Sequence, residues 1–170
     1  MSRDRPPVAV AVALSVRALG VRFGDSVAVV PPKTSGYSEK PLSQKLGIAR
    51  GNRIALLGSP EGFEKTLGAL PVAAILENEL IGKALFDLVL CFVVWRAELE
   101  RRLPSIRRRM APAAGLWVAW PKKASKTPTD MTDHVIREIA LPTGLVDNKV
   151  CAIDEKWSGL RLVIRVELRS

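Results

Sequence analysis

Short apolar runs bounded by glycine and proline alternate along this chain with segments whose apolar positions recur at helical spacing. Phe86–Val94 is the clearest run, nearly all apolar and rich in β-forming side chains. Continuous rather than alternating hydrophobicity over a strand-length window predicts a central strand covered on both faces. Arg53–Leu57, Val72–Leu76 and Leu116–Trp120 read as further short strands, the last preceded by a turn at Pro112 and Gly115. Pro41 opens a helix over 41–47 that Gly47 closes, following the preference for proline at a helix start and glycine just past its end. A helix over 61–69 follows Gly58-Ser59-Pro60-Glu61-Gly62, and 77–85 reads as weak helix or loop. Arg96–Met110 is a strongly charged helix with Leu99, Leu103 and Ile106 on its buried stripe. Pro104 within it removes a hydrogen bond and predicts a kink. Thr129 or Asp130 caps a helix over 130–141 that turns Met131, Val135, Ile136 and Ile139 inward and stops at Pro142 and Gly144. Leu145–Ile153 and Leu160–Leu168 are strands joined by Asp154–Gly159, a link too short for a crossover, so the pair is antiparallel. Alternating strands and helices closed by a hairpin predict an α/β fold: a mostly parallel, three-layer Rossmann-type sheet with a C-terminal antiparallel hairpin.

Residues 1–35 break this pattern. Val8–Leu14 and Val27–Val30 are apolar, Gly20 and Gly24 separate them, and Pro31-Pro32 reads as a linker. We therefore expect an N-terminal extension over 1–35, poorly ordered or a marginal hairpin, and a single α/β domain over 36–170. Val8–Leu14 follows Arg3 and Arg5 as a leader would. It is only seven residues, Arg17 follows closely, and no small-x-small site appears, which argues against a signal peptide. No apolar stretch has the roughly 18–20 residues a membrane span needs. The expectation is a basic, cytoplasmic protein without membrane contact.

Composition changes this picture little. The chain has 170 residues, 48% hydrophobic and 25% charged, enough for one domain with a real core. Its 26 Lys and Arg against 17 Asp and Glu give a net charge of +9, which favours anionic partners without naming one. Cys91 and Cys151, the two cysteines, each lie in an apolar run, and His134 is the single histidine. A metal site has almost no material.

The ending, a last parallel strand and then a hairpin that returns an antiparallel strand to the sheet, resembles class I methyltransferases. Leu46-Gly47-Ile48 and Gly51–Gly58 are similar to the run into that family's first strand, Phe86–Leu90 to its fourth, and Ala111–Val118 to the turn into its fifth. The resemblance implies a sheet order of 2-1-4-5-7-6 in the family's strand numbering, its third strand missing because 59–85 has room for only one strand. In that order Cys91 and Cys151 lie three strand spacings apart, about 14 Å, too far for a disulfide. Further motifs resemble an uncharacterised bacterial family, domain of unknown function 3052. They are Gly36-Tyr37-Ser38, Pro41-Leu42, Lys45–Ile48, Pro60–Phe63, Trp120–Ser125 and Val150–Leu160, and the match spans about 36–166. The methyltransferase likeness implies S-adenosylmethionine (SAM) as a cofactor. The loop Gly58–Gly62 argues against it: no acid precedes Gly58, and Pro60 removes an N–H where backbone must approach a cofactor. Glu77 is the one candidate for a ribose-binding acid, and a solvent-facing role outweighs it.

Ligands of open α/β sheets sit beyond the carboxyl ends of the parallel strands. Gly58, Pro60, Glu61, Gly62, Trp95, Trp120, Lys122, Lys123, Asp154, Glu155 and Trp157 are placed there by this topology. They offer aromatic faces, cations and carboxylates suited to a small anionic or nucleotide-like ligand. Packing explains the tryptophans more simply, and a hairpin turn explains Asp154 and Glu155, since no nucleophile or histidine accompanies them. Arg101, Arg102, Arg107, Arg108 and Arg109 could meet nucleic acid, though Glu98 and Glu100 interrupt them and a solvated face is the simpler reading. With no catalytic residue to name, the sequence favours a non-catalytic ligand-binding or regulatory domain on a degenerate methyltransferase scaffold. A SAM-dependent methyltransferase comes second, and a basic module for nucleic acid or an acidic protein third.

Overall fold

A computed structural model describes residues 40–169, so the expectations for 1–35 lie outside the described residues. Six strands form one sheet: β1 (Arg53–Leu57), β2 (Ile75–Glu77), β3 (Phe86–Phe92), β4 (Met110–Pro121), β5 (Leu145–Ala152) and β6 (Trp157–Ile164). Their spatial order is β2-β1-β3-β4-β6-β5. The strands β2, β1, β3 and β4 are parallel, and β6 runs antiparallel to both β4 and β5. This is the expected Rossmann-type sheet with its closing hairpin. Cys91 on β3 and Cys151 on β5 are separated by β4 and β6, and both thiols are free.

Four helices complete the layers: α1 (Leu42–Lys45), α2 (Phe63–Leu67), α3 (Arg96–Arg108) and α4 (Asp133–Ala140). Successive strand residues point to opposite faces. Ala55, Val89, Cys91, Leu116 and Val118 therefore meet Leu99, Leu103 and Ile106 of α3 and Ile136 of α4. Ile54, Leu56, Leu90 and Trp117 meet Leu42 of α1 and Phe63 and Leu67 of α2 on the other side. Both faces of β3 are covered, as its unbroken apolar run requires. Each leucine, isoleucine, valine or phenylalanine so buried contributes about 1.5–3 kcal/mol. Trp117 is wholly buried, and its Nε1–H donates to the Leu46 carbonyl at 2.8 Å, tying the end of α1 to the sheet.

Several boundaries differ from the sequence reading, each for a local reason. The second strand begins at Ile75 rather than Val72, because Ala73 takes a left-handed backbone (φ 65) in a turn. The turn expected at Pro112 and Gly115 lies inside β4: Met110 pairs with Phe86 but Gly115 with Leu88, so the register shift pushes Pro112 and Ala113 outward as a bulge. The helix α3 runs through Pro104 without ending there. The cap of α4 is Thr132, whose hydroxyl accepts the Val135 N–H at 3.1 Å. Thr129 and Asp130 serve the neighbouring element instead. The Thr129 hydroxyl donates to the Val94 carbonyl, and Asp130 accepts the N–H of Arg96, the first residue of α3, at 2.7 Å. The last strand starts at Trp157 and ends at Ile164, because Asp154 closes the hairpin early: its Oδ1 accepts the N–H groups of Lys156 and Trp157, both at 2.8 Å. No helix among the described residues is long and apolar enough to cross a membrane.

Candidate functional site

The carboxyl ends of β1 and β3 meet at Gly58. This residue has a left-handed backbone (φ 67), and a Cβ added there would stand 2.9 Å from the Phe92 carbonyl oxygen and 3.3 Å from a nitrogen of Arg102. Only glycine satisfies both the backbone angle and the approach. Beyond it opens a cavity of about 400 Å³, within the usual small-molecule range. Its floor is Leu57 and Gly58, one wall is Asn78, Glu79 and Leu80 just past β2, and the other is Arg101, Arg102, Ser105 and Ile106 of α3.

Each wall is held by identifiable contacts. Glu98 anchors the start of α3 by accepting the N–H groups of Val94 (2.7 Å) and Trp95 (3.0 Å). Burial pushes its carboxyl up, but these backbone hydrogen bonds, with Arg102 and Arg101 behind them, bring it below its ordinary value. The loop after β2 hangs from Arg109, whose guanidinium donates to the carbonyls of Leu80 (2.9 Å), Ile81 (3.0 Å) and Ala84 (2.6 Å) while stacking 5.2 Å from the Phe86 ring centre. Beneath Arg102 lies Cys91, whose thiol burial pushes up to about 11 against the opposing pull of Arg102.

The residues expected at the ligand edge fall into separate places. Gly58 lines the cavity. Pro60, Glu61 and Gly62 are exposed in the loop to α2, where the Pro60 carbonyl accepts the Phe63 N–H and Gly62 caps the helix with φ 77. Trp95 is half exposed at the start of α3. Trp120 packs against the core on the α3 and α4 side. Trp157 is buried on the opposite side, edge-on to Phe92 at 4.9 Å, and Phe92 is edge-on to Phe63 at 4.8 Å. Lys122 is joined to the hairpin through its N–H to the Lys156 carbonyl (2.8 Å), Lys123 and Glu155 are exposed, and Asp154 forms the turn. Glu77 does not face open solvent: it forms an ion pair with Arg53 at 2.6 Å. The acid on the cavity wall is Glu79. It escaped the sequence reading because it lies two residues past β2, in a segment that reads as weak helix or loop. Arg101 and Arg102 escaped because they read as a solvated helix face. The arginines of α3 and its end do not form one surface. Arg107 reaches the Thr143 carbonyl, Arg108 reaches Ser105, and Arg109 holds the loop. His134 is exposed and pairs with Glu138 at 3.1 Å.

No family model and no curated protein matches the chain. Solved structures do match the fold. A SAM-dependent methyltransferase from Aquifex aeolicus aligns over 72% of this chain and 88% of its own, with a TM-score of 0.52 and 13% identity. Magnesium protoporphyrin IX methyltransferase from Synechocystis, solved with bound SAM, aligns over 72% and 74%, with a TM-score of 0.50 and 12% identity. Fibrillarin from Aeropyrum pernix, with natively bound SAM, aligns over 72% and 73%, with a TM-score of 0.50 and 13% identity. The fold is that of class I SAM-dependent methyltransferases. At these identities the likeness establishes the fold alone. It nevertheless corrects the ranking of functions. The non-catalytic binding domain preferred from the sequence gives way to the methyltransferase reading, because the fold's solved neighbours are SAM-dependent methyltransferases, two of them with SAM bound.

Proposed function

We propose that this protein is a SAM-dependent methyltransferase that holds SAM at the carboxyl ends of β1, β2 and β3. One observation carries the reading: a cavity of about 400 Å³ opens at the carboxyl ends of the parallel strands, floored by Leu57 and Gly58 and walled by Glu79 on one side and Arg101 and Arg102 on the other. The residues around it suit the group. The Glu79 carboxylate is an acceptor for ribose hydroxyls, and Arg101 and Arg102 match the carboxylate of the methionine moiety. Gly58 lets β1 close on the Phe92 carbonyl and on Arg102, and the Glu98 anchor keeps Arg102 on its wall by fixing the first turn of α3. Bound SAM supplies an electrophilic methyl group on a sulfonium; the chain's share is to orient it and to exclude water.

We also infer kinship with the domain of unknown function 3052 family. Three of the motifs that carry that resemblance adjoin in space. Phe63, Phe92 and Trp157 stack in series, linking Pro60–Phe63 to Val150–Leu160, and the Lys122–Lys156 backbone bond joins Trp120–Ser125 to the same hairpin. Two unpaired thiols suit a cytoplasmic setting, which belongs to the same reading.

The test is cofactor binding by calorimetry and thermal shift on the full chain. SAM and S-adenosylhomocysteine should each raise the melting temperature, and Glu79→Gln should weaken both without changing the fold. An unchanged melting temperature with millimolar amounts of either compound would sink the proposal.

A further inference from the structure

A second concavity, of about 250 Å³, lies on the α1 side of the sheet and is lined by Lys45, Gly47, Trp117, Asn148, Lys149 and Arg161. It shares no lining residue with the cavity beside Gly58. Arg161 is its centre. The guanidinium lies flat on β4 above Gly115, where a Cβ would stand 2.7 Å from its Nε, so a glycine makes its berth. Among the described residues, no hydrogen-bond acceptor or carboxylate pairs with that guanidinium, and no acidic side chain lines the cavity. Burial, and then the like charge of Arg169, make its protonated form less favourable than in water. The Lys149 ammonium donates to the Lys45 carbonyl at 3.3 Å, beside the same opening. Lys149 and Lys45 both act on the Cys151 thiol, opposing the rise that its burial causes.

Half-burying an arginine without a counter-charge is costly. The open half of the guanidinium is left to solvent, which an anion with fixed acceptors can replace. Here a planar fork of donors, an ammonium and the Asn148 amide converge on one small space. A dianion with three acceptor oxygens satisfies such a set better than a single carboxylate can. The volume falls short of the usual range for whole drug-sized ligands, so the space suits a terminal group. The site is concave and local rather than a stripe, which separates it from a track for a polyanion.

We propose that this pocket binds a phosphate monoester, its phosphoryl group seated between Arg161 and Lys149. The experiment is calorimetric titration of the full chain with inorganic phosphate, then with ribose 5-phosphate, and with a single-stranded oligonucleotide lacking terminal phosphate. Phosphate and the sugar phosphate should bind and compete for one site. Arg161→Gln and Lys149→Gln should each weaken that binding by roughly ten- to a hundredfold and leave SAM binding unchanged. Lys149 lies on an exposed edge strand, so its variant keeps the test alive if Arg161→Gln does not fold. Absent phosphate binding, binding unchanged in the Lys149 variant, or displacement by the oligonucleotide but not by the sugar phosphate would each overturn the assignment.

Discussion

Gly58→Ala tests both the architecture and the site, because two separate penalties meet at this residue. The first is conformational: a left-handed backbone costs an L-residue about 1–2 kcal/mol. The second is steric: the new Cβ would stand 2.9 Å from the Phe92 carbonyl oxygen, a backbone atom that cannot rotate aside. Overpacking of this kind costs about 1–3 kcal/mol. Their sum is about 2–5 kcal/mol of stability. Gly51 provides the control. Its φ is 74, yet a Cβ there meets nothing within 4 Å, so Gly51→Ala pays the conformational penalty alone. Gly115→Ala provides the converse, since its closest neighbours are atoms of one flexible side chain, Arg161. Urea denaturation of the three variants, compared at equal m-value, separates the penalties. Gly58→Ala should be the least stable and should lose SAM binding, while Gly51→Ala keeps it. Equal losses for Gly58→Ala and Gly51→Ala would refute the close approach, and SAM binding that survives in Gly58→Ala would refute the placement of the cofactor against this residue.

Other variants probe the surrounding structure. Trp117→Phe removes the donor to the Leu46 carbonyl and should cost about 1–3 kcal/mol by leaving a buried acceptor unpaired, read as a lower urea midpoint. The raised Cys91 thiol, pushed up to about 11 by burial, favours the folded state below its ordinary value of 9.0 and withdraws that support as pH climbs toward 11. Stability should therefore fall over that interval, and Cys91→Ala should flatten the fall in a pH series of thermal melts. The carboxyl of Glu98, held below its ordinary value, has the opposite sign: its contribution is present above that value and is lost as acid protonates it in the fold. Glu98→Gln should remove this part of the acid sensitivity and cost about 0.3–1 kcal/mol at neutral pH from the charge at the start of α3.

The core was legible because its signal is redundant. β3 is apolar at nearly every position, and the stripe Leu99, Leu103, Ile106 names the buried face of α3 without reference to any partner. The hairpin followed from its short connection, and the strand order from the resemblance to class I methyltransferases. The site was less legible because its elements are short and its residues ordinary. β2 has three residues, and a left-handed Ala73 sets its start, which no periodicity reports. Glu79 lies two residues past its end, in a loop with no periodicity to mark it. Arg102 looks like any solvated helix residue until α3 is docked and the side chain is found against Gly58 and Cys91. Arg161 alternates with apolar neighbours on β6, and its berth depends on Gly115, a residue 46 positions away that the sequence assigns only to a turn.

The loop between β2 and β3 stands where the methyltransferase pattern has a further strand, and Arg109 alone holds three of its carbonyls. A wall made of ladder hydrogen bonds opens only when the sheet does; this wall has its own latch. The amides of residues 78–85 should therefore exchange with solvent as a small cooperative unit, independent of the sheet's global unfolding. Arg109 and the packing of Leu80 on the core then hold that side of the neighbouring cavity, and a change at position 109 should loosen the wall while the core beneath it stays as it was.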